Sequence, residues 1–213
     1  MNLRDFNFTP QDLSQTSGTY GYIQSTCPDE LRTKILESIK TARDPYQEHL
    51  VGQIKEEYLI DGLRDDPLWQ SYIVCGALAH ESTFPGYWKG LKSIHKSDSN
   101  LHVDSTWVNY MRKHEYNPLH HHYGILSYVM WVQVPFTMEE EQKICPSAKE
   151  NSSVASFTFV YPGVHGLDQT NLPVDKSWEW EIVFFPSHLH HMVYPFQTSD
   201  ETRISISGNI YLD

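Results

Sequence analysis

The chain has 213 residues, a formal net charge of −11 and three widely spaced cysteines. This length predicts one domain with a substantial core, and the acidic balance argues against nucleic acid or an anionic membrane as partner. The cysteine pattern argues against a disulfide framework and a thiolate zinc site. The start lacks an apolar leader and no apolar run approaches the roughly 18 residues of a membrane span, so a cytoplasmic protein is predicted.

The first hundred residues are predicted to be partly helical. Residues 29–42 are expected to form a helix because apolar side chains recur at helical spacing between Leu31 and Ile39. A second helix is predicted over 66–83, where an Asp-Pro pair supplies a start signal. The flanking stretch 1–27 is expected to be an extended lead-in with one strand, and 43–65 shows no firm period.

After Pro85 the pattern becomes that of a β protein, with aromatic and β-branched segments separated by short turns. Such strands predict a mainly β jelly-roll (a cupin-like double-stranded β-helix). We therefore predict a single domain, 1–213, with a helical support region over about 1–100 and a metal-binding core over about 101–213. The acidic run Glu139–Glu141 is expected in a solvated loop. The predicted strands lie within 101–111, 123–136, 152–161, 177–186 and 202–212.

Eight of the twelve histidines fall into two windows, 114–122 and 165–191. Alternate residues of a strand project from one face, so His120 and His122 can reach one metal while His121 points away. Imidazole suits iron, copper, nickel and zinc, and three protein ligands leave positions open for catalysis. The second window offers three candidates for a third ligand: His188, His190 and His191.

A competing metal motif lies earlier in the chain. His102 and Asp104 have the His-x-Asp spacing of the iron site formed by two histidines and one carboxylate. They precede the strong strand at 123–136, and on spacing alone the competitor stays open.

Several short motifs are typical of one family. They are Trp107-Val108-Asn109, Asn117 to His122, Leu126-Ser127-Tyr128, Phe185-Pro186-Ser187 through His191, Val193 to Phe196, and Arg203 through Asn209. With these motifs, the segment from about Ser105 to the C terminus resembles the 2-oxoglutarate- and Fe(II)-dependent oxygenases. In particular it is similar to a small family of bacteria and marine phages related to the prolyl hydroxylases.

The resemblance implies Fe(II), 2-oxoglutarate and O2 as cofactors and co-substrates, and hydroxylation with release of succinate and CO2. It implies that Arg203 receives the far carboxylate of 2-oxoglutarate, with Ser205 beside it. A guanidinium fork matches a carboxylate and stays charged at working pH. The implied metal ligands are His120, His122 and His191. Further candidates for cofactor binding are Asn109, Tyr128 and Trp131.

Four positions depart from the family pattern. His122 stands where prolyl hydroxylases carry an aspartate, so either three histidines bind, or His120 and His191 bind with water. Tyr128 places a large ring where the family has a small residue. His188 and His190 replace tryptophans, and either add polar contacts or compete as ligands.

Two other classes of function stay open at this point. One is a cupin-like metal enzyme that does not use 2-oxoglutarate, for which three histidines are usual. The other is a non-catalytic β-sandwich binding or structural module. The sequence does not reveal whether a substrate is a small molecule, a peptide or a protein, and it leaves a homodimer open.

Overall fold

The computed structural model describes residues 6–13, 21–92, 100–145 and 153–212. Within these ranges the helices are α1 (Asp29–Thr41), α2 (Asp61–Arg64), α3 (Pro67–Thr83), α4 (Pro85–Lys92) and α5 (Met138–Ile144). The strands are β1 (Thr9–Asp12), β2 (Gly21–Thr26), β3 (Asp44–Pro45), β4 (Glu56–Leu59), β5 (Leu101–Met111), β6 (Asn117–His120), β7 (Leu126–Gln133), β8 (Phe157–Gly163), β9 (Gly166–Leu172), β10 (Glu181–Pro186), β11 (His190–Val193) and β12 (Arg203–Leu212).

The strands form two antiparallel sheets. One has eight strands in the order β1-β2-β10-β7-β12-β5-β4-β3, and the other has four in the order β6-β11-β8-β9. Side chains from both sheets meet in one buried cluster, among them Trp131 and Phe185 from the larger sheet and Phe157 and Phe159 from the smaller. The predicted mainly β jelly-roll is confirmed.

Strand parity divides the larger sheet into an inner and an outer face. On β7, Val129 and Trp131 join the core between the sheets, whereas Tyr128 and Met130 join a second core beneath the helices. Because successive strand residues point to opposite faces, a near-continuous apolar run indicates a strand covered on both sides.

Helices α1 and α3 cover the outer face, and both were predicted. Leu31, Ile35 and Ile39 of α1 are buried as the spacing indicated. Asp66 caps α3 by accepting bonds from the backbone N–H groups of Leu68 and Trp69 (3.1 and 2.9 Å). None of the helices in the described ranges is long and apolar enough to cross a membrane.

Other local predictions were incomplete or wrong. The β texture expected after Pro85 begins only at β5, because residues 85–92 form α4 with Trp88 buried. Residues 43–65, without a firm period, supply β3, β4 and α2, and the lead-in supplies two strands rather than one. The start of the strand predicted at 152 lies outside the described residues.

The acidic run is not a solvated loop. Thr137 and Glu140 form a capping box that starts α5. Glu141 is fully buried and accepts hydrogen bonds from the backbone N–H groups of Gln197 and Thr198 and from the Thr198 hydroxyl. Glu141 therefore fixes the loop that leads into β12.

Candidate metal and co-substrate site

The structure brings His120, His122 and His191 together inside the jelly roll. One ring nitrogen from each lies within 4.8 Å of the others. His120 and His191 are paired residues on β6 and β11, which places their ring centroids 4.2 Å apart. Ligands about 2.1 Å from a shared ion are separated by at most roughly 4.2 Å, so small ring rotations bring all three onto one metal.

Backbone carbonyls orient two of these rings. Nδ1 of His120 lies 2.7 Å from the Pro118 carbonyl oxygen, and Nδ1 of His191 lies 2.9 Å from that of Leu189. A carbonyl can only accept, so each Nδ1 carries the proton and each Nε2 keeps a lone pair for a metal. No bond to a ring nitrogen of His122 is found in the described part of the chain, and its backbone N–H is held by the Ser187 carbonyl at 2.8 Å.

Burial keeps the three imidazoles neutral. It lowers the pKa of His120, lowers the pKa of His122 to about 3 with a further contribution from His120 and His121, and holds the pKa of His191 well below its usual range. The His191 ring stacks on Phe157 and meets the edge of Phe185. A neutral imidazole is the form that binds a metal.

Arg203 lies in the same cavity as the three histidines, which has a volume of about 50 Å³. This exceeds the roughly 10–15 Å³ that one water requires. Arg203 is 3% exposed, and its Nη2 contacts Sδ of Met111 at 2.6 Å. Its Nε and Nη1 are buried and have no hydrogen-bond partner among the residues that the structure describes. Burial lowers the pKa of Arg203 to about 10, so it stays charged at neutral pH. A buried cation with two unused donors matches a carboxylate ligand.

Two polar residues continue this wall of the cavity. Ser205 follows Arg203 by two positions on β12, and Asn109 is its partner on β5. Nδ2 of Asn109 lies 3.3 Å from Oγ of Ser205 and 3.3 Å from Oγ of Ser207. Trp131, the partner of Ser205 on β7, lies on the inner face and also lines the cavity. These three predicted residues therefore surround the position beside Arg203.

The role of Tyr128 in cofactor binding stays a prediction. Tyr128 borders the cavity, but its ring packs against Trp69 and Phe184 on the helix side of the sheet. Its hydroxyl bonds to that of Thr106 at 2.6 Å. Tyr128 and Trp131 are three positions apart on one strand, so they cannot share a face. The large ring does not narrow the cavity as its place in the motif suggested.

The remaining histidine candidates lie elsewhere. His121 points away from the triad and contacts His188 and His190, both exposed, at centroid distances of 5.7 and 5.0 Å. His102 stacks on Tyr211. In the described ranges, His120, His122 and His191 are the only group of three or more possible ligands, so neither His102–Asp104 nor His188 and His190 join it.

Sequence reasoning missed one ionisable residue of the cavity. Glu57 of β4 is 1% exposed and lines the same space, together with Leu50, Val51 and Ile54. Burial, and then the charge of Glu115, raise the pKa of Glu57 to about 7. The stretch 43–65 gave no periodic signal, and only the pairing of β4 with β5 brings Glu57 to the cavity.

An antiparallel jelly roll with three inward imidazoles and a buried guanidinium defines a class: a metal site built to receive an anionic ligand. Residues 105–209 match the model of the family described as "Putative 2OG-Fe(II) oxygenase". The match spans the three histidines and Arg203, so the segment 105–209, just under half of the chain, is assigned to this family. No curated protein matches the sequence.

Three solved structures of low sequence identity are similar to this chain. A prolyl-4-hydroxylase from Pseudomonas putida is 12% identical over 91% of this chain and 93% of that chain, with a TM-score of 0.51. The carbocyclase SnoK from nogalamycin biosynthesis is 13% identical over 95% and 85%, with a TM-score of 0.49. A prolyl hydroxylase from Trichoplax adhaerens is 11% identical over 91% and 84%, with a TM-score of 0.46. At 12% identity the first of these shows a common fold alone.

Proposed function

We propose that this protein is an Fe(II)- and 2-oxoglutarate-dependent dioxygenase that hydroxylates a substrate and releases succinate and CO2. The observation that carries the proposal is the buried Arg203 guanidinium in the cavity that the three histidines also line. Its Nε and Nη1 lack partners within the described ranges. An unpaired buried cation is strongly unfavourable by itself. A carboxylate ligand would supply the missing partner.

The residues present fit both the metal and the co-substrate. When bound, Fe(II) with 2-oxoglutarate and O2 supplies the oxidising chemistry. His120 and His191 offer oriented Nε2 atoms, and His122 offers a third imidazole. Arg203 and Ser205 would bind the far carboxylate of 2-oxoglutarate, and Asn109 holds the Ser205 hydroxyl in place. Trp131 and the aromatic cluster around His191 form apolar walls of the site.

The charge of the three-histidine ligand set affects how strongly the metal and 2-oxoglutarate bind together. Three neutral imidazoles leave the positive charge of Fe(II) uncompensated. An aspartate in place of His122 would offset part of that charge. The two carboxylates of 2-oxoglutarate would therefore compensate both the metal and Arg203. We expect metal and 2-oxoglutarate to strengthen each other's binding, which is reciprocal by thermodynamic linkage.

Anaerobic addition of Fe(II) and 2-oxoglutarate tests the proposal. Bidentate chelation of the metal produces a weak visible charge-transfer band, expected in the wild type and lost in His191→Ala. His188→Ala is the matched control, because His188 is exposed and outside the triad. Absence of a band in the wild type at saturating ligand refutes the proposal, and an unchanged band in His191→Ala refutes the ligand assignment.

Paired variants decide between three histidines and two histidines with water. If His122 is a ligand, His122→Ala weakens metal binding about 10-fold or more, whereas His121→Ala has little effect. Equal affinities for the two variants would favour the site with two histidines and water. A cupin-like enzyme that does not use 2-oxoglutarate stays the second candidate, since three imidazoles suit it. It predicts full activity in Arg203→Leu.

A further inference from the structure

Glu57 stands in a row of polar side chains across the larger sheet. It pairs with Asn109 on β5, Asn109 pairs with Ser205 on β12, and Ser205 pairs with Trp131 on β7. Paired residues of antiparallel strands project from the same face. The side chain of Glu57 is therefore directed to the inner face, at the level of the residues beside Arg203, and all four line the cavity.

Among the buried carboxyl groups of the described residues, Asp66 and Glu141 have internal partners, whereas Glu57 does not. Asp66 pairs with Lys34 and caps α3, and Glu141 accepts three hydrogen bonds. For the Glu57 carboxyl, no hydrogen bond or ion pair is found within the part of the chain that the structure describes. Burial without such a partner disfavours the charged carboxylate and raises the pKa of Glu57 to about 7, whereas an apolar residue there would simply extend the core. The lack of an internal partner at Glu57 indicates that its carboxyl group binds a group from outside the chain.

Arg203 is not that partner. Strand β5 lies between β4 and β12 in the sheet. The charge that acts on Glu57 is that of Glu115, and the carboxylate that acts on Arg203 is that of Glu141. The cavity therefore carries an acceptor at Glu57 and a cation at Arg203 that do not neutralise each other. The end of the cavity at Glu57 favours a positively charged group, and the end at Arg203 favours a negatively charged group.

Besides the polar Asn109, the cavity that Glu57 lines has several apolar residues. Leu50, Val51 and Ile54 belong to the segment that precedes β4, and Trp107 follows on β5. This segment is fixed against β6: the Gln53 N–H donates to the Tyr116 carbonyl at 2.8 Å. Aliphatic side chains and an indole face accommodate a hydrocarbon chain that ends in a positive charge, which also interacts favourably with an aromatic face.

We propose that Glu57 binds a cationic nitrogen of the primary substrate, an ammonium or guanidinium on a short aliphatic chain. This inference rests on the proposed function, because it assigns the space left beside 2-oxoglutarate to the substrate. Glu57 sets specificity: it fixes the charge at one end of the substrate while the histidines hold the reacting metal. It is not a metal ligand, since it lies outside the only ligand group in the described residues.

Ligand-detected NMR with matched probes tests the assignment. Protein loaded with Zn2+ and saturating 2-oxoglutarate at pH 8 is titrated with n-pentylammonium, n-pentylguanidinium, n-pentanol and n-pentanoate. Binding of at least one cation, with neither the alcohol nor the acid bound, is expected for the wild type. Glu57→Gln should weaken that cation at least 10-fold. Glu56→Gln is the control, because Glu56 lies on the same strand and pairs with Arg112 at the surface, and it should change the affinity less than twofold.

Several outcomes overturn the inference. They are the absence of cation binding, equal binding of pentanol, and equal cation affinity in the wild type and in Glu57→Gln with an unchanged thermal midpoint. A further one is a Glu57→Gln variant that loses the Fe(II)–2-oxoglutarate band, since Glu57 would then serve the co-substrate. The band, measured on the same wild-type protein, reports separately on the proposed function. Loss of cation selectivity with an intact band rejects only the role of Glu57, and a missing band with selective cation binding rejects only the oxygenase.

Discussion

Replacement of Arg203 by leucine should stabilise the ligand-free protein while abolishing its response to 2-oxoglutarate. Burial lowers the pKa of Arg203 to about 10. The folded state thus holds this proton less tightly than the unfolded chain, and charged Arg203 destabilises the fold at every pH below about 10. At 1.36 kcal/mol per pKa unit the penalty is about 3 kcal/mol.

The net gain in Arg203→Leu should be smaller than this penalty. Leucine leaves part of the arginine volume empty and loses the contact with Met111. These two losses reduce the gain in stability by roughly 1–2 kcal/mol. We therefore expect the free energy of unfolding in urea to rise by about 1–2 kcal/mol. The mechanism predicts opposite signs for stability and for ligand binding at one residue.

The assay compares urea unfolding with and without ligand. With Mn2+ present, 2-oxoglutarate at 100 times its Kd should stabilise the wild type by about 2.7 kcal/mol and should not stabilise Arg203→Leu. Arg112→Leu is the control, because Arg112 pairs with Glu56 in an exposed ion pair worth about 0–1 kcal/mol. A fall of more than 1 kcal/mol in ligand-free Arg203→Leu, or an unchanged response to 2-oxoglutarate, would refute the reasoning.

Three further substitutions probe the buried polar groups. A raised carboxyl pKa means that the folded state retains its proton, so wild-type stability should fall by about 1–3 kcal/mol between pH 5 and pH 8 relative to Glu57→Gln. Glu141→Ala should lose about 3 kcal/mol because it strands three donors of the following loop, while exposed Glu139→Ala stays within about 0.5 kcal/mol. Tyr128→Phe should lose about 1 kcal/mol with its bond to Thr106, yet bind 2-oxoglutarate as the wild type does.

Each of these predictions has a contrary result. Parallel pH profiles for the wild type and Glu57→Gln, measured by urea titration, would mean that burial does not raise the pKa of Glu57. Equal unfolding midpoints for the Glu141→Ala and Glu139→Ala proteins would contradict the loop-anchoring role. A Tyr128→Phe protein with weakened 2-oxoglutarate binding, measured by calorimetry, would mean that Tyr128 takes part in binding the co-substrate.

The elements of this structure that depend on a local sequence pattern could be predicted from the sequence. Helical spacing predicted α1, and an Asp-Pro start predicted α3. The motif ending in His191 and the Arg-x-Ser of β12 named residues that the structure gathers into one cavity. Motifs succeed here because a family constrains residue identity and spacing together, even where single histidines are ambiguous.

Two structural features could have been predicted from signals that were present in the sequence. The Thr137–Glu140 spacing is that of a capping box, yet the acidic run was interpreted by charge alone. Strand parity, applied to β7, separates Tyr128 from Trp131 and excludes the tyrosine ring from the inner face. Both features follow from local geometry.

Glu57 could not be predicted in the same way. It lies in a non-periodic stretch, and its burial follows from the pairing of a short strand with β5, about fifty residues later in the chain. Its raised pKa also depends on the neighbouring charge of Glu115. Such non-local pairings bring residues together without any spacing rule in the sequence.

Calorimetric titration of 2-oxoglutarate into the protein, with and without Mn2+, tests most directly whether the histidines and Arg203 form one site. We predict one binding site per chain, an affinity at least 10-fold higher with Mn2+, and no binding heat in Arg203→Leu. The metal-dependent gain should disappear in His191→Ala. Equal affinity with and without the metal, or binding that survives in Arg203→Leu, would contradict the account.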